Sequence, residues 1–273
     1  MKESNLKNMK ETIVLDKMPT LKIDPVNYFL RNPSHQICLN DAIGQAIFIQ
    51  HTGNIYCGVC GVKTKKSFGE GMCYKCFSTA PENAECIIRP ELCLAHEGIG
   101  RDIEWEKKNH LQPHHVYLAL VNEVKVGVTR ETQIPTRWID QGANAALILA
   151  TTPYRQLAGM IEISLKSFYT DKTNWQKMLK NEYNQEIDLR VEKEKIKSLL
   201  PPNLSQYIDK NDEIVKIHYP VMQYPDKVKS VSFEKTTTIE SKLMGIRGQY
   251  LLLEDGQVFN VRKHSGYEIN LEF

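Results

Sequence analysis

The sequence predicts an α+β chain assembled from several small modules, and three observations carry that expectation. Two C-x-x-C pairs, Cys57/Cys60 and Cys73/Cys76, stand twelve residues apart. Between residues 115 and 175, two short apolar segments precede a third strand and an amphipathic helix. Beyond Pro201-Pro202, strand-like runs alternate with Gly and Asp turns and show no convincing helical period. The implied layout is a partly ordered lead-in over 1–35, then a β-hairpin and zinc-binding domain over 36–114. A central domain follows over 115–182, with a three-stranded antiparallel sheet and flanking helices. A helix over 183–200 leads to a β-rich C-terminal module over 201–273, a small barrel or sandwich.

The lead-in is charged and punctuated by Pro19, Pro25 and Pro33. From Ala42 to Tyr56, β-branched residues flank a T-G-N turn, which reads as a hairpin feeding the first cysteine knuckle. Two thiolates three positions apart on a tight turn can hold one metal from the same side. A second such pair completes a closed tetrahedron, the pattern of a structural zinc ion bound by Cys57, Cys60, Cys73 and Cys76; the alternative is four ordinary cysteines or two disulfides. The intervening loop is poor in apolar mass and rich in glycine, so it has little besides an ion to hold it. Its Lys63, Lys65 and Lys66 lie near Phe68 and Tyr74 and form either a phosphate-contacting cluster or a solvated basic loop.

Downstream, Cys86, Cys93, His96 and His110 are chemically suited to a second zinc site. Their spacing is irregular, and cysteine also serves as a small buried hydrophobe. Cys38 stands alone and reads as structural.

Residues His115–Val121 and Glu123–Thr129 predict a hairpin. A short helix near Pro135 carries Arg137 and Trp138, and Ala145–Thr151 reads as a strand buried on both faces. Leu157, Met160, Ile161, Leu165 and Phe168 recur at helical spacing, with Glu162 beside that stripe. Residues 184–200 read as a charge-laced helix ended by Pro201 and Pro202.

Hydrophobic content of 41% and charged content of 25% over 273 residues are ordinary for a globular chain. A net charge of +2 excludes a large positive field, so basic residues would serve nucleic acid only as a local patch. The opening M-K-E-S-N-L-K-N-M-K leads into no apolar signal core. The apolar stretch Ala145–Ala150 is far too short to span a bilayer. Seven cysteines, an odd number in metal spacing, fit a reducing compartment. The expectation is a soluble cytoplasmic protein with no membrane partner.

Val116-Tyr117, Lys125-Val126-Gly127-Val128-Thr129, Arg137, Glu162 and Asn174 occur in an order that resembles the GIY-YIG nuclease superfamily. More specifically, C-Y-K-C-F, V-Y-L-A, K-V-G-V-T-R and Q-I-P-T-R-W-I-D-Q-G-A resemble a bacterial domain-of-unknown-function family, number 2797, from about Asn40 onwards. The superfamily resemblance implies a GIY-YIG-like central domain in which Glu162 holds one divalent cation, magnesium or manganese. Arg137 would face the scissile phosphate, Tyr117 would position or deprotonate the attacking water, and Asn174 would orient the site. Lys125 stands where the active nucleases open their second motif with tyrosine, and could contact phosphate. Gln141 stands where a histidine or tyrosine is often found, and an amide is no general base.

Two functional classes follow. The first is a zinc-containing, metal-dependent phosphodiesterase acting on DNA or RNA through Tyr117, Arg137 and Glu162. The second is a non-catalytic nucleic-acid-binding protein, gripping the backbone with Lys63, Lys65, Lys66, Lys125, Arg130 and Arg137. A zinc-held scaffold for a protein partner is a third reading. Each residue also has a plain structural role open to it: Tyr117 packing on a strand, Arg137 pairing with Glu162, Gly127 permitting close approach, Asn174 capping a helix.

Overall fold

A computed structural model of the chain describes residues 9–169 and 174–273. Residues 1–8 of the lead-in and 170–173 of the central domain lie outside the described residues. The fold is mixed α+β and divides into two units. One comprises the chain up to Phe77 together with Tyr219–Phe273, and the other is Ser78–His218.

In the first unit the two ends of the chain share a single eight-stranded sheet. Its order is Lys10–Val14, Tyr267–Glu272, Ala46–Tyr56, Thr238–Arg247, Tyr250–Leu253, Gln257–Asn260 and Lys229–Val231, with Lys63–Thr64 paired to Ala46–Tyr56 off this path. Side chains alternate across a strand, so Ile47 and Ile49 turn inward while Ala46 and Gln50 are exposed. Ile49 lies between Ile239 and Leu271 of the neighbouring strands, and all three are buried. That row ties three distant parts of the sequence together; burying one such side chain contributes roughly 1.5–3 kcal/mol.

Three expectations are corrected by this pairing. From residue 9 onward the lead-in is built into the fold: Lys10–Val14 pairs with Tyr267–Glu272, and Met18, Val26 and Tyr28 are wholly buried. The expected hairpin at T-G-N is one eleven-residue strand, Ala46–Tyr56. Its irregularity at Gly53 (φ +91°) is absorbed opposite Tyr267–Glu272, where the register slips between Tyr267 and Ile269. Thr52 and Asn54 both donate to the Glu268 carboxylate there, at 2.7 Å each. Finally, the strands after Thr238 do not make a sheet of their own, because they pair with strands from the first sixty residues. Residues 201–218 instead go with the second unit, where Val215–Lys216 pairs with Ala145–Ala146.

The second unit is built on an antiparallel sheet of four strands, ordered Val215–Lys216, Ala145–Thr152, His114–Leu120, Val124–Arg130. The fourth strand is Val215–Lys216, whose two residues are too few to carry a sequence pattern. Val116, Leu118 and Leu120 form the inner row of the central strand. They pack with Ala158, Ile161 and Leu165 of the helix Arg155–Leu165, and with Leu189 and Ile196 of the helix Leu189–Leu199. Asp188 starts the latter helix by accepting the Arg190 N–H at 2.8 Å. The apolar stripe on Arg155–Leu165 is narrower than its sequence suggests, since Met160 and Phe168 are exposed. His115, Tyr117 and Ala119 occupy the opposite face of the sheet, in register with Thr129, Gly127 and Lys125. Among the described residues, no helix is long and apolar enough to cross a membrane.

Candidate functional site

In the first unit, the strand Ala46–Tyr56 runs directly into the first knuckle. Gly61 N–H donates to Cys57 C=O at 2.8 Å and Cys57 N–H to Val62 C=O at 2.9 Å, closing a tight turn. Gly61 sits at φ +71°, a backbone region costly to residues carrying a Cβ. The second knuckle opens the helix Tyr74–Thr79, with the Cys76 N–H 3.5 Å from Cys73 Sγ. Gly58 N–H donates to Gly71 C=O at 2.8 Å and joins the two turns.

The four sulfurs converge within 4.8 Å of one another. Cys60 Sγ and Cys73 Sγ are 3.8 Å apart, and all four thiols are free. A disulfide needs about 2.05 Å between sulfurs. The edge of a tetrahedron with zinc–sulfur bonds of 2.3 Å is about 3.8 Å. Burial opposes ionisation of Cys57, yet backbone N–H groups of Cys60, Cys73 and Val59 together bring its thiol down to about 6. Cys76 is driven the other way, to about 12, by burial and by the sulfurs around it. Cys57 and Cys76 therefore hold their protons very unequally. The cluster can hold a metal ion such as zinc.

In the second unit, Tyr117, Arg137, Glu162 and Lys125 belong to one electrostatic cluster. Tyr117 projects from the central strand across Gly127, its partner in register. A Cβ at 127 would stand 2.5 Å from the phenol oxygen and 2.7 Å from Cζ. Glycine is needed there for space, because the edge strand must pass beneath the ring. Arg137, on the short helix Thr136–Asp140, and Gln141, just after it, both donate to the phenol oxygen. Tyr117 is only 1% exposed, and burial holds its pKa above the usual 10 despite the nearby guanidinium and these two bonds.

Glu162 is partly buried on the helix Arg155–Leu165. Burial raises its carboxyl to about 7, against the charges of Arg155, Lys125 and Arg137 and with that of Glu91. Glu91 arrives because Pro90–Leu92 lies directly on this helix at Gly159, where a Cβ would stand 2.2 Å from the Glu91 nitrogen. Arg155 is fixed by donating to Cys86 C=O from Nε at 3.0 Å and to Ile87 C=O from a terminal nitrogen at 2.8 Å. Sequence reasoning missed both Arg155 and Glu91. The former had a signal, since Arg155 and Glu162 are seven positions apart and so share a helix face. The latter had none.

The remaining expected site residues have other surroundings. Asn174 caps the helix Trp175–Leu179, its side-chain oxygen accepting the Lys177 N–H at 3.1 Å. Arg130 is half-buried and donates to the Asn109 side chain. Lys63, Lys65 and Lys66 are exposed, and Lys66 Nζ lies 5.3 Å above the Phe68 ring. His96 does not join Cys86, Cys93 and His110. It stacks on Tyr154 at 4.7 Å between ring centroids, and Glu106 takes the fourth place in that group. Glu106 and His110 are one helical turn apart on Ile103–His110.

Fold and clusters together define a mixed α+β protein with a four-cysteine group and a half-buried carboxylate ringed by cations. The chain belongs to the family described as "Protein of unknown function (DUF2797)", whose model matches residues 44–269. No curated protein and no solved structure matches it.

Proposed function

We propose that the second unit is a GIY-YIG-like, metal-dependent phosphodiesterase acting on nucleic acid, and that the four cysteines of the first unit bind a structural zinc ion. The observation that supports the phosphodiesterase reading is that Lys125 and Arg137, from two other elements, lie close enough to Glu162 to act on its charge. Three cationic side chains around one carboxylate make a poor resting place for a divalent ion alone. They suit a phosphate far better, and a phosphate brings the negative charge that lets a cation settle on Glu162 and Glu91. When bound, magnesium or manganese would neutralise charge on the phosphate and on the leaving oxygen.

Within this reading Arg137 binds the scissile phosphate through its fork of N–H donors and stabilises charge gathering on its oxygens. Lys125 adds a second positive contact. Tyr117 is a positioning residue: its phenol is buried and weakly acidic, so it aims Arg137 instead of taking a proton from water. Gln141 serves the same end by holding the phenol oxygen. Asn174 has a sufficient role as a helix cap.

The test is incubation of the full-length protein with labelled single- and double-stranded DNA and RNA, with magnesium or manganese. Cleavage by the native chain, lost in Glu162→Ala while binding and melting temperature persist, supports the reading. Binding without cleavage favours a non-catalytic grip on the backbone, a reading supported by the amide at Gln141, which cannot act as a general base. Binding indifferent to salt would count against both, because phosphate contacts release counterions. That result would leave a zinc-held scaffold for a protein partner.

A further inference from the structure

The stretch Ser78–His110 contains no strand. It is a chain of short helical turns, and the buried apolar cluster within it is small: Ala84, Cys86, Cys93 and Ala95, with Ile87 against them. Apart from Pro90–Leu92 on the helix Arg155–Leu165 and the bonds from Arg155, so small a cluster is a weak anchor for these thirty-three residues, and segments poor in apolar mass are usually fastened by a disulfide or a metal. At the centre of the stretch lie two thiols, a carboxylate and an imidazole, all buried.

We propose that Cys86, Cys93, Glu106 and His110 bind a second, structural zinc ion. Their ligand atoms all fall within 4.8 Å of one another. Cys93 Sγ is 3.4 Å from His110 Nδ1, His110 Nδ1 is 2.9 Å from a Glu106 oxygen, and that oxygen is 4.0 Å from Cys86 Sγ. Around a tetrahedral zinc ion, ligand atoms of these kinds stand about 3.3–3.8 Å apart. The imidazole and carboxylate, 2.9 Å apart, would therefore separate by a few tenths of an ångström, and the Cys86 sulfur close in slightly, to seat the ion. Cys86 and Cys93 are free thiols, so no disulfide fastens the segment. Two sulfurs, one nitrogen and one oxygen form a donor set that a borderline-soft ion accepts and that magnesium or calcium does not favour.

The surroundings are those of a closed site. Glu106 is 2% exposed, and a buried carboxylate is costly unless a cation or several donors compensate it. Its other oxygen accepts the Arg101 N–H at 3.2 Å, which turns the first oxygen toward the sulfurs. Gly100 packs over the carboxylate so tightly that a Cβ there would lie 2.5 Å from Glu106 Cδ. With four protein ligands and this lid of backbone, the ion has no position for substrate or water. Its work is mechanical. It gathers residues 86–110, and Arg155 ties the Cys86 and Ile87 carbonyls to the helix that carries Glu162. The inference stands apart from the phosphodiesterase reading.

The experiment is metal analysis of the full-length protein, incubated with excess zinc under reducing conditions and then desalted. The native chain is expected to keep two zinc ions, one for each group of four ligands. Cys57→Ser with Cys76→Ser is expected to keep one, as is Cys93→Ser with His110→Ala. Because either double variant could unfold, the native protein is also loaded with cobalt, whose sulfur-to-cobalt absorption scales with the number of thiolate ligands. Six such ligands are expected for two filled sites, half as many again as the four cysteines alone would give. One zinc ion in the native chain, with cobalt absorption matching four thiolates, would overturn the proposal.

Discussion

The Tyr117 ring lies across the backbone of Gly127, with the phenol oxygen 2.5 Å from where a Cβ would stand. A methyl group at 127 therefore has to displace the ring, and the ring is what Arg137 and Gln141 hold. Gly127→Ala is expected to destabilise the protein by about 1–3 kcal/mol, the usual cost of overpacking. Combined with Tyr117→Leu, whose side chain is shorter, it is expected to cost less than the two single losses added together. Denaturant melts of the four proteins in this cycle measure the difference.

Gly159 offers a sharper contrast. Glycine to alanine inside a helix ordinarily stabilises by about 1 kcal/mol. Here the added carbon would stand 2.2 Å from the Glu91 nitrogen, and backbone atoms cannot swing aside as a side chain can. Gly159→Ala is expected to lower the melting temperature and to separate Glu91 from Glu162. Thermal melts test the first effect, and NMR titration of the Glu162 carboxyl tests the second: its pKa should fall once the neighbouring carboxylate retreats.

Glu162 makes stability depend on pH in a direction opposite to that of most carboxylates. Its folded value, about 7, lies above the ordinary 4.5, so the unfolded chain releases this proton first as pH rises. The contribution of Glu162 to stability is therefore largest below pH 4.5 and is lost as pH climbs to about 7. Glu162→Gln removes that dependence. The unfolding free energy of this variant relative to the native chain should rise from pH 5 to 7.5 by the linkage argument, measured by denaturant titration at each pH.

Chelation should act on the first unit through its knuckles. With zinc held there as proposed, its removal takes from the turns at Gly61 and Gly71 their common anchor. A strong chelator is expected to lower the melting temperature and to expose all four thiols to a thiol-reactive dye. Added zinc should reverse both.

The sequence was most readable where function or packing is local. The two knuckles, the hairpin around Val121–Glu123 and the helix bearing Glu162 depend on neighbours within a few residues. The large sheet was not readable in this way. Ile13, Ile49, Ile239 and Leu271 look like members of separate strands until the pairing of the chain's two ends is known. For the same reason Thr52-Gly53-Asn54 reads as a hairpin turn, although Glu268 holds both flanking side chains within one strand. In the second unit, Glu106 was hidden because a glutamate on a polar helix looks solvated. Its burial depends on Gly100 closing over it, which no local pattern announces.

A single-turnover cleavage rate tests most directly whether Arg137 and Glu162 act on one phosphodiester. With magnesium or manganese and the best-bound nucleic acid, the native chain should cut. Glu162→Gln and Arg137→Lys should each slow the chemical step by about 100-fold or more, the scale on which lost charge stabilisation reads out, with binding little changed. Rates in both variants within a few-fold of native, or a native chain that binds and never cuts, would contradict that joint action.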